Sequence, residues 1–471
     1  MVIAQGPERP TASSQYAPGQ VLVKWKNGVL SAPQYTLASG RQVQMIRPVD
    51  PLGVTFLRVP PGTEAETVQE LQRDPRGVYA DLNYRVRAQE VPNDPYWPQQ
   101  WALVKIGAPA AWDIAHSSSD MVVALLDTGV YLGHPDLQTS LWTNVGEIPD
   151  NGIDDDHNGK ADDVHGWHFF HQWNGSVQEP YENRVIDDDN GHGTHVAGIV
   201  GAETNNGIGI ASVSRGARVM IVKVLDEKGD GWYSDVAAGV VYAVDNGAKI
   251  INLSLGGEEP SQVLQDAINY AYRKGALLVA AAGNDDRAVY YPAASENVVA
   301  VVATDANDQR MSFSNHGPEV DIAAPGENII STWPFLDLYY YKRGTSMAAP
   351  HVSGAAALLW TWRPDYNNVQ LEQRLEATAE DVNSASYPGW DAYIGRGRLN
   401  MARALSGLPQ GPTATATARF TPTPTVTRTA TPTAVPSHSA TPQSTPTATP
   451  TSTTFIYQVY WPIFFHFQRV F

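Results

Sequence analysis

The sequence predicts an α/β protein whose main unit is a three-layer α/β/α sandwich around a mostly parallel sheet, preceded by a small α+β unit. Three observations carry this expectation. Met121–Leu126, Val219–Leu225, Lys249–Leu253, Leu277–Ala282 and Val298–Ala303 are apolar almost without interruption, as strands covered on both faces are. Helix-like segments at 192–203, 233–246 and 261–274 fall between these runs, and strands alternating with helices make βαβ units. At 471 residues the chain is also too long for one core, so more than one unit is expected.

Composition divides the chain further. Residues 1–15 read as a leader remnant or disordered segment, without the basic and apolar regions of a signal peptide. Residues 16–90 mix β-like runs, Gln20–Trp25 and Val54–Val59, with a helical stretch at Glu64–Gln72. The sandwich is expected over 91–407. From 408 to 454 the chain is rich in Thr and Pro, with no acid between Gly411 and Thr454, and reads as an extended linker. The tail, 455–471, is densely aromatic but broken by Pro462 and polar residues, a poor membrane span and a candidate for docking or cell-surface association.

Apolar residues form 42% of the chain and charged residues 17%, which suits a packed core. Lys and Arg number 32 against 49 Asp and Glu, a net charge of −17, which argues against nucleic acid as a partner. With no cysteine, disulfides, Cys-zinc sites and thiol nucleophiles are excluded.

Three segments carry chemistry. Leu125-Leu-Asp127-Thr-Gly129 puts an Asp directly after a buried strand; Asn190-Gly-His192-Gly-Thr-His195 leads into a helix of small residues; Gly344-Thr-Ser346-Met-Ala-Ala-Pro350 opens another. A further strand, Leu277–Ala282, runs into Gly283-Asn284. Functional groups collect at the carboxyl ends of parallel strands. Acyl transfer by a hydroxyl needs a base for the serine proton, a carboxylate to orient that base, and donors for the oxyanion. Each residue alone is unremarkable as a cap, turn or core histidine; all four types together, in the order Asp, His, Ser, define a chemistry. An α/β-hydrolase esterase would need Gly-x-Ser-x-Gly with its His last, which this chain lacks.

On these motifs, residues 92–407 resemble the subtilisin-like serine peptidases (subtilases) of the thermitase and fervidolysin kind. The resemblance implies that Ser346 is the nucleophile, His192 the base and Asp127 its orienting partner, with Asn284 as oxyanion donor beside the Ser346 N–H. It implies that substrate pairs as an added strand between Ser254-Leu255-Gly256 and Gly229-Asp230-Gly231, and Asp230 hints at basic substrate residues. It implies a calcium site from Asp94, Asp136 and Asn206, with carbonyls of Thr204, Ile208 and Ile210. Residues 16–90 resemble the family's propeptides, an intramolecular inhibitor cut off near Glu90.

A second cation site is expected from spacing. Counted from Asp154, the loop Asp154, Asp156, Asn158, Lys160, Asp162 follows an EF-hand pattern with a glycine at 159, but His165 stands where the bidentate Glu belongs. Asp187–Asp189 reads as a solvated turn. His165, His168 and His171 recur at every third position, and the aromatics between them favour packing over zinc. His195 and His351 read as structural. The expectation is therefore a secreted, calcium-stabilised serine endopeptidase, monomeric, without organic cofactor, acting on proteins and made as a zymogen. The alternative is a surface-displayed binding protein that keeps the fold without turnover; it would show a broken triad or a lost oxyanion Asn, and neither is seen.

Overall fold

The structure, a computed structural model, describes residues 16–26, 34–49, 51–84, 91–173 and 176–408. The leader segment, the cleavage region near Glu90, nearly all of the Thr/Pro segment and the aromatic tail lie outside the described residues.

In the first unit, β1 (Tyr16–Trp25), β2 (Gln34–Thr36), β3 (Gln42–Val49) and β4 (Val54–Arg58) precede α1 (Glu64–Gln72) and β5 (Gly77–Tyr84). They form an antiparallel sheet in the order β2-β3-β4-β1-β5. Alternate residues of β1, Val21, Val23 and Trp25, point inward, and Val68 and Leu71 of α1 close over them in a core separate from that of the rest of the chain. The alternation is that of a sheet with one covered face.

The second unit begins with the short helices α2 (Trp101–Lys105) and α3 (Ala108–Trp112). Then come β6 (Val122–Asp127), β7 (Gly166–Trp173), β8 (Gln178–Asn183), α4 (His192–Gly201), β9 (Arg218–Lys223), α5 (Tyr233–Asp245), β10 (Ile250–Leu253) and α6 (Gln262–Arg273). They are followed by β11 (Leu277–Ala281), β12 (Val298–Thr304), β13 (Ile322–Pro325), β14 (Ile329–Thr332) and β15 (Tyr339–Lys342), and by α7 (Thr345–Trp362), α8 (Asn368–Ala377) and α9 (Met401–Leu405). An eight-stranded sheet runs β13-β12-β11-β10-β6-β9-β7-β8. All its pairs are parallel except β7 with the edge strand β8.

Every residue of β6, β10, β11 and β12 is buried, because helices cover both faces. Val123 and Leu125 of β6 pack with Val196 and Val200 of α4 and Val352 and Leu359 of α7. Ala124 and Leu126 face the opposite layer, with Val236 and Val240 of α5 and Leu264 and Ile268 of α6. The period of two along β6 thus separates the two helical layers, as the apolar runs predict. Pairing Leu126 with Leu253, and Asp127 with Lys223, brings the carboxyl ends of β6, β10 and β9 together.

Candidate active site

Asp127 is the last residue of β6 and is 1% exposed. His192 opens α4, and its Nδ1 donates to Asp127 Oδ1 at 2.7 Å. The backbone N–H of Thr128 donates to the same oxygen at 2.8 Å, while Asp127 Oδ2 is buried with no partner among the described residues. Gly193 makes this approach possible: a Cβ there would lie 2.1 Å from the Gly129 carbonyl.

Ser346 stands in the first turn of α7, after Gly344 at φ 144°, a conformation that favours glycine. Its Oγ donates to the Ser254 carbonyl at 3.0 Å, and Ser254 Oγ donates back to the Ser346 carbonyl at 2.9 Å. Asn284 follows β11; its Oδ1 accepts from Thr345 N at 2.8 Å and from Thr345 Oγ1 at 3.0 Å. With Oδ1 so held, Nδ2 is the end left for a ligand.

His192 and Ser346 line one open cleft of about 740 Å³. Gly229, Asp230 and Gly231 line this cleft, as do Ser254, Leu255 and Gly256. Lys342 of β15 also lines it; burial pushes its ammonium below the ordinary lysine value, opposed by the charges of Asp127 and Asp188.

One residue that supports the site escaped the sequence. Asp188 is buried, not solvated. Its carboxylate accepts from Thr128 Oγ1 (2.8 Å), Gly191 N (2.8 Å), Thr194 N (2.9 Å) and Thr194 Oγ1 (2.6 Å). It joins the strand that carries Asp127 to the helix that carries His192, satisfying donors at the positive end of α4. Asp189 is exposed and pairs with the buried Lys223 at 2.8 Å. A run of three acids reads as surface; only the tertiary arrangement supplies the donors that bury the middle one.

Of the expected cation ligands, Asp94 and Asp136 are both buried. Asp94 accepts from Asn205 N at 3.0 Å; Asp136 accepts from Asn206 Nδ2 at 2.8 Å, Ile210 N at 3.0 Å and Tyr339 OH at 3.2 Å. Thr204 and Ile208 belong to the same loop, held by Ser212 N on Thr204 Oγ1 and by Ile208 N on Asn206 Oδ1. Burial raises both carboxyls, Asp136 to about 6 with the Asp94 charge contributing. Neither forms an ion pair among the described residues. Two desolvated like charges, with the Arg215 charge offsetting only part of the cost at Asp94, fit a hard, oxygen-ligated cation.

The acidic loop differs from its expected pattern. Glu147, Asp154 and Asp156 place oxygens within 4.8 Å of one another, a group that could hold a metal. Asn158 borders it, its N–H on Asp154 Oδ1 and Asp156 Oδ1. Asp162 is not in this group: it accepts from Asn151 N and Gly152 N and pairs with Arg184. Lys160 Nζ pairs with Glu182 at 2.5 Å and lies over Trp167 and Phe169. Glu147 instead reaches back across the loop, accepting from Asp155 N and Asp162 N. An EF-hand count is local, so it could not find a carboxylate that precedes the loop.

The three clustered histidines do not converge on a metal. His165 Nδ1 meets the Trp142 carbonyl, His168 stacks on Phe170 at 4.4 Å, and His171 Nδ1 meets Asp235 at 2.9 Å. His195 and His351 are buried on backbone carbonyls, and burial pushes them down to about 3 and about 4.

An imidazole held on a buried carboxylate, in a cleft it shares with a helix-starting serine, is the layout of a serine hydrolase. The family model "Subtilase family" matches residues 118–397, and the model "Fervidolysin N-terminal prodomain" matches residues 4–83. The chain is 36% identical over 393 residues to the thermophilic serine proteinase of Bacillus sp. (strain AK1), covering 83% of this chain and 88% of that protein. It is 42% identical over 316 residues to thermitase of Thermoactinomyces vulgaris, covering 67% of this chain and 99% of that protein. A solved structure of proteases from Pseudoalteromonas arctica PAMC 21717 superposes with a TM-score of 0.55 at 33% identity, over 67% of this chain and 99% of that one. The chain belongs to the subtilase family. It is a subtilisin-like serine protease with a fervidolysin-like prodomain.

Proposed function

We propose that the chain is a secreted or cell-surface endopeptidase, made as a self-processed zymogen, with Asp127, His192 and Ser346 as its triad. The observation that carries this is the 2.7 Å bond from His192 to Asp127 beside Ser346 in one cleft. With Nδ1 donating to Asp127, Nε2 is left unprotonated and able to take a proton. The Ser346 hydroxyl turns from the Ser254 carbonyl to His192, and Oγ attacks the scissile carbonyl while Nε2 accepts its proton. The oxyanion takes hydrogen bonds from Asn284 Nδ2 and from the Ser346 N–H, a donor without a helical acceptor at the positive end of α7. His192 returns the proton to the leaving amine, and a water repeats the sequence to free the acyl group.

Substrate is an extended polypeptide, paired as a strand between the Gly229–Gly231 and Ser254–Gly256 edges, where missing side chains let its backbone approach. Residues 16–90 form the propeptide and 91–407 the peptidase, joined near Glu90; the mature enzyme is a monomer acting outside the cytoplasm. Asp94, Asp136 and Asn206, with the Thr204, Ile208 and Ile210 carbonyls, would hold calcium, and Glu147, Asp154, Asp156 and Asn158 a second ion. Bound calcium supplies structural charge compensation, tying the chain near Asp94 to the loop after α4.

Intact mass followed over time on wild type and Ser346→Ala tests this reading. Loss of about 90 amino-terminal residues in wild type alone is expected; full-length protein in both, under conditions where wild type is folded, overturns the self-processing.

A further inference from the structure

Trp232 lines the substrate cleft yet is 52% exposed, leaving a large apolar surface open to solvent. It is the residue before α5 and cannot cap that helix with its side chain. The first turn is held otherwise. Asp235, 4% exposed, takes a hydrogen bond from His171 Nδ1 at 2.9 Å. The His171 ring also lies against the Trp232 indole, with ring centres 5.3 Å apart at 42°. Tyr233, next in the chain, donates to the carbonyl of Glu259, which also lines the cleft, at 2.9 Å. The start of α5 thus links two segments of the cleft lining, and His171 is its anchor from behind.

The placement of His171 follows from the sheet. β7 pairs with β9 only through His168; beyond that it pairs with β8 alone, His171 opposite Pro180. This overhanging part of the hairpin carries His171 to the first turn of α5.

We infer that His171 is a positioning residue for substrate binding: through Asp235, and by direct contact, it holds the Trp232 indole as an apolar wall of the cleft that receives an apolar side chain of an extended substrate. The inference rests on the peptidase reading above. His171 touches no reacting atom, so its loss weakens binding of substrates long enough to reach Trp232 and leaves the chemical step alone.

The test is steady-state hydrolysis by the full chain of peptide anilides carrying Phe or Gly at each position before the scissile bond, with a single-residue ester as control. At one position Phe lowers KM in wild type. His171→Ala and Trp232→Ala each remove that preference and raise KM for the Phe peptide about tenfold, with kcat kept. His171→Asn, whose Nδ2 can stand where Nδ1 stands, restores KM, and ester hydrolysis is the same in all variants. The inference is overturned if exposed Trp232 can be cut back to Ala with KM unchanged. It is equally overturned if His171→Ala lowers kcat for ester and peptide alike, a general structural loss. Wild type that hydrolyses neither substrate contradicts the peptidase reading itself.

Discussion

His192 Nδ1 and Asp127 Oδ1 lie 2.7 Å apart, with the aspartate 1% exposed and tied to the backbone N–H of Thr128. This contact sets both the orientation and the tautomer of the imidazole. Asp127→Asn keeps the shape but reverses the donor, so kcat should fall about 10⁴-fold with little change in KM. Burst-corrected initial rates on a peptide anilide measure it.

Asn284 has its Oδ1 occupied by Thr345, leaving the amide N–H for a developing negative charge. Asn284→Ala should lower kcat about 10²- to 10³-fold while KM is kept, because the bond strengthens only in the transition state. A rise in KM at constant kcat would assign the residue to ground-state binding.

Asp188 is the hub between β6 and α4. Asp188→Ala strands donors from Thr128, Gly191 and Thr194, which should cost about 3 kcal/mol. Thermal unfolding should drop by about 5–10 °C, and kcat should fall because the segment bearing His192 loosens.

Much of this arrangement is legible in the amino-acid order, and the rest fails for identifiable reasons. The apolar run ending at Asp127 marks a doubly covered strand, and the small residues after His192 and Ser346 mark helices packed deep in the core, where Gly and Ala let neighbouring elements approach closely. Both signals are local. Glu147 and Asp188 are not: one joins a loop that begins after it, and the other is buried by donors from a helix start. Asp162 had the right spacing for a ligand, but its backbone at φ 59° and the partners Asn151, Gly152 and Arg184 turn its carboxylate elsewhere. The β7–β8 hairpin hid behind a run of His and aromatic residues, which fits packing as well as pairing.

Asp321, Glu372 and Glu376 bring their carboxyl oxygens within 4.8 Å of one another. Burial pushes Asp321 and Glu372 up to about 7, with the neighbouring acids adding to it and Arg396 opposing it at Asp321. Because the folded state holds these protons more tightly than the unfolded chain, their contribution is complete below the ordinary carboxylate range and is lost as pH rises through about 7. Asp321→Asn keeps an acceptor for Ala300 N, which now meets Asp321 Oδ2 at 2.8 Å. The variant should match wild type in melting temperature at acidic pH and exceed it at alkaline pH. An equal shift at both ends would contradict the proton linkage.

Asp94 and Asp136 are buried together, and neither forms an ion pair among the described residues. Chelation of calcium from the catalytically silent Ser346→Ala protein should lower its melting temperature by about 5–10 °C. Adding Asp136→Asn should make the protein insensitive to the chelator. Retained sensitivity would place the dominant ion at the Glu147 group instead.

In this reading Ser346 is a nucleophile activated by His192. Reaction of the full chain with an organophosphorus fluoride, followed by intact and peptide mass spectrometry, tests it most directly. The predicted result is one covalent adduct, located on Ser346, absent in Ser346→Ala and formed far more slowly in His192→Ala. No adduct on folded wild type, or an adduct on another hydroxyl at the same rate in all three proteins, would contradict it.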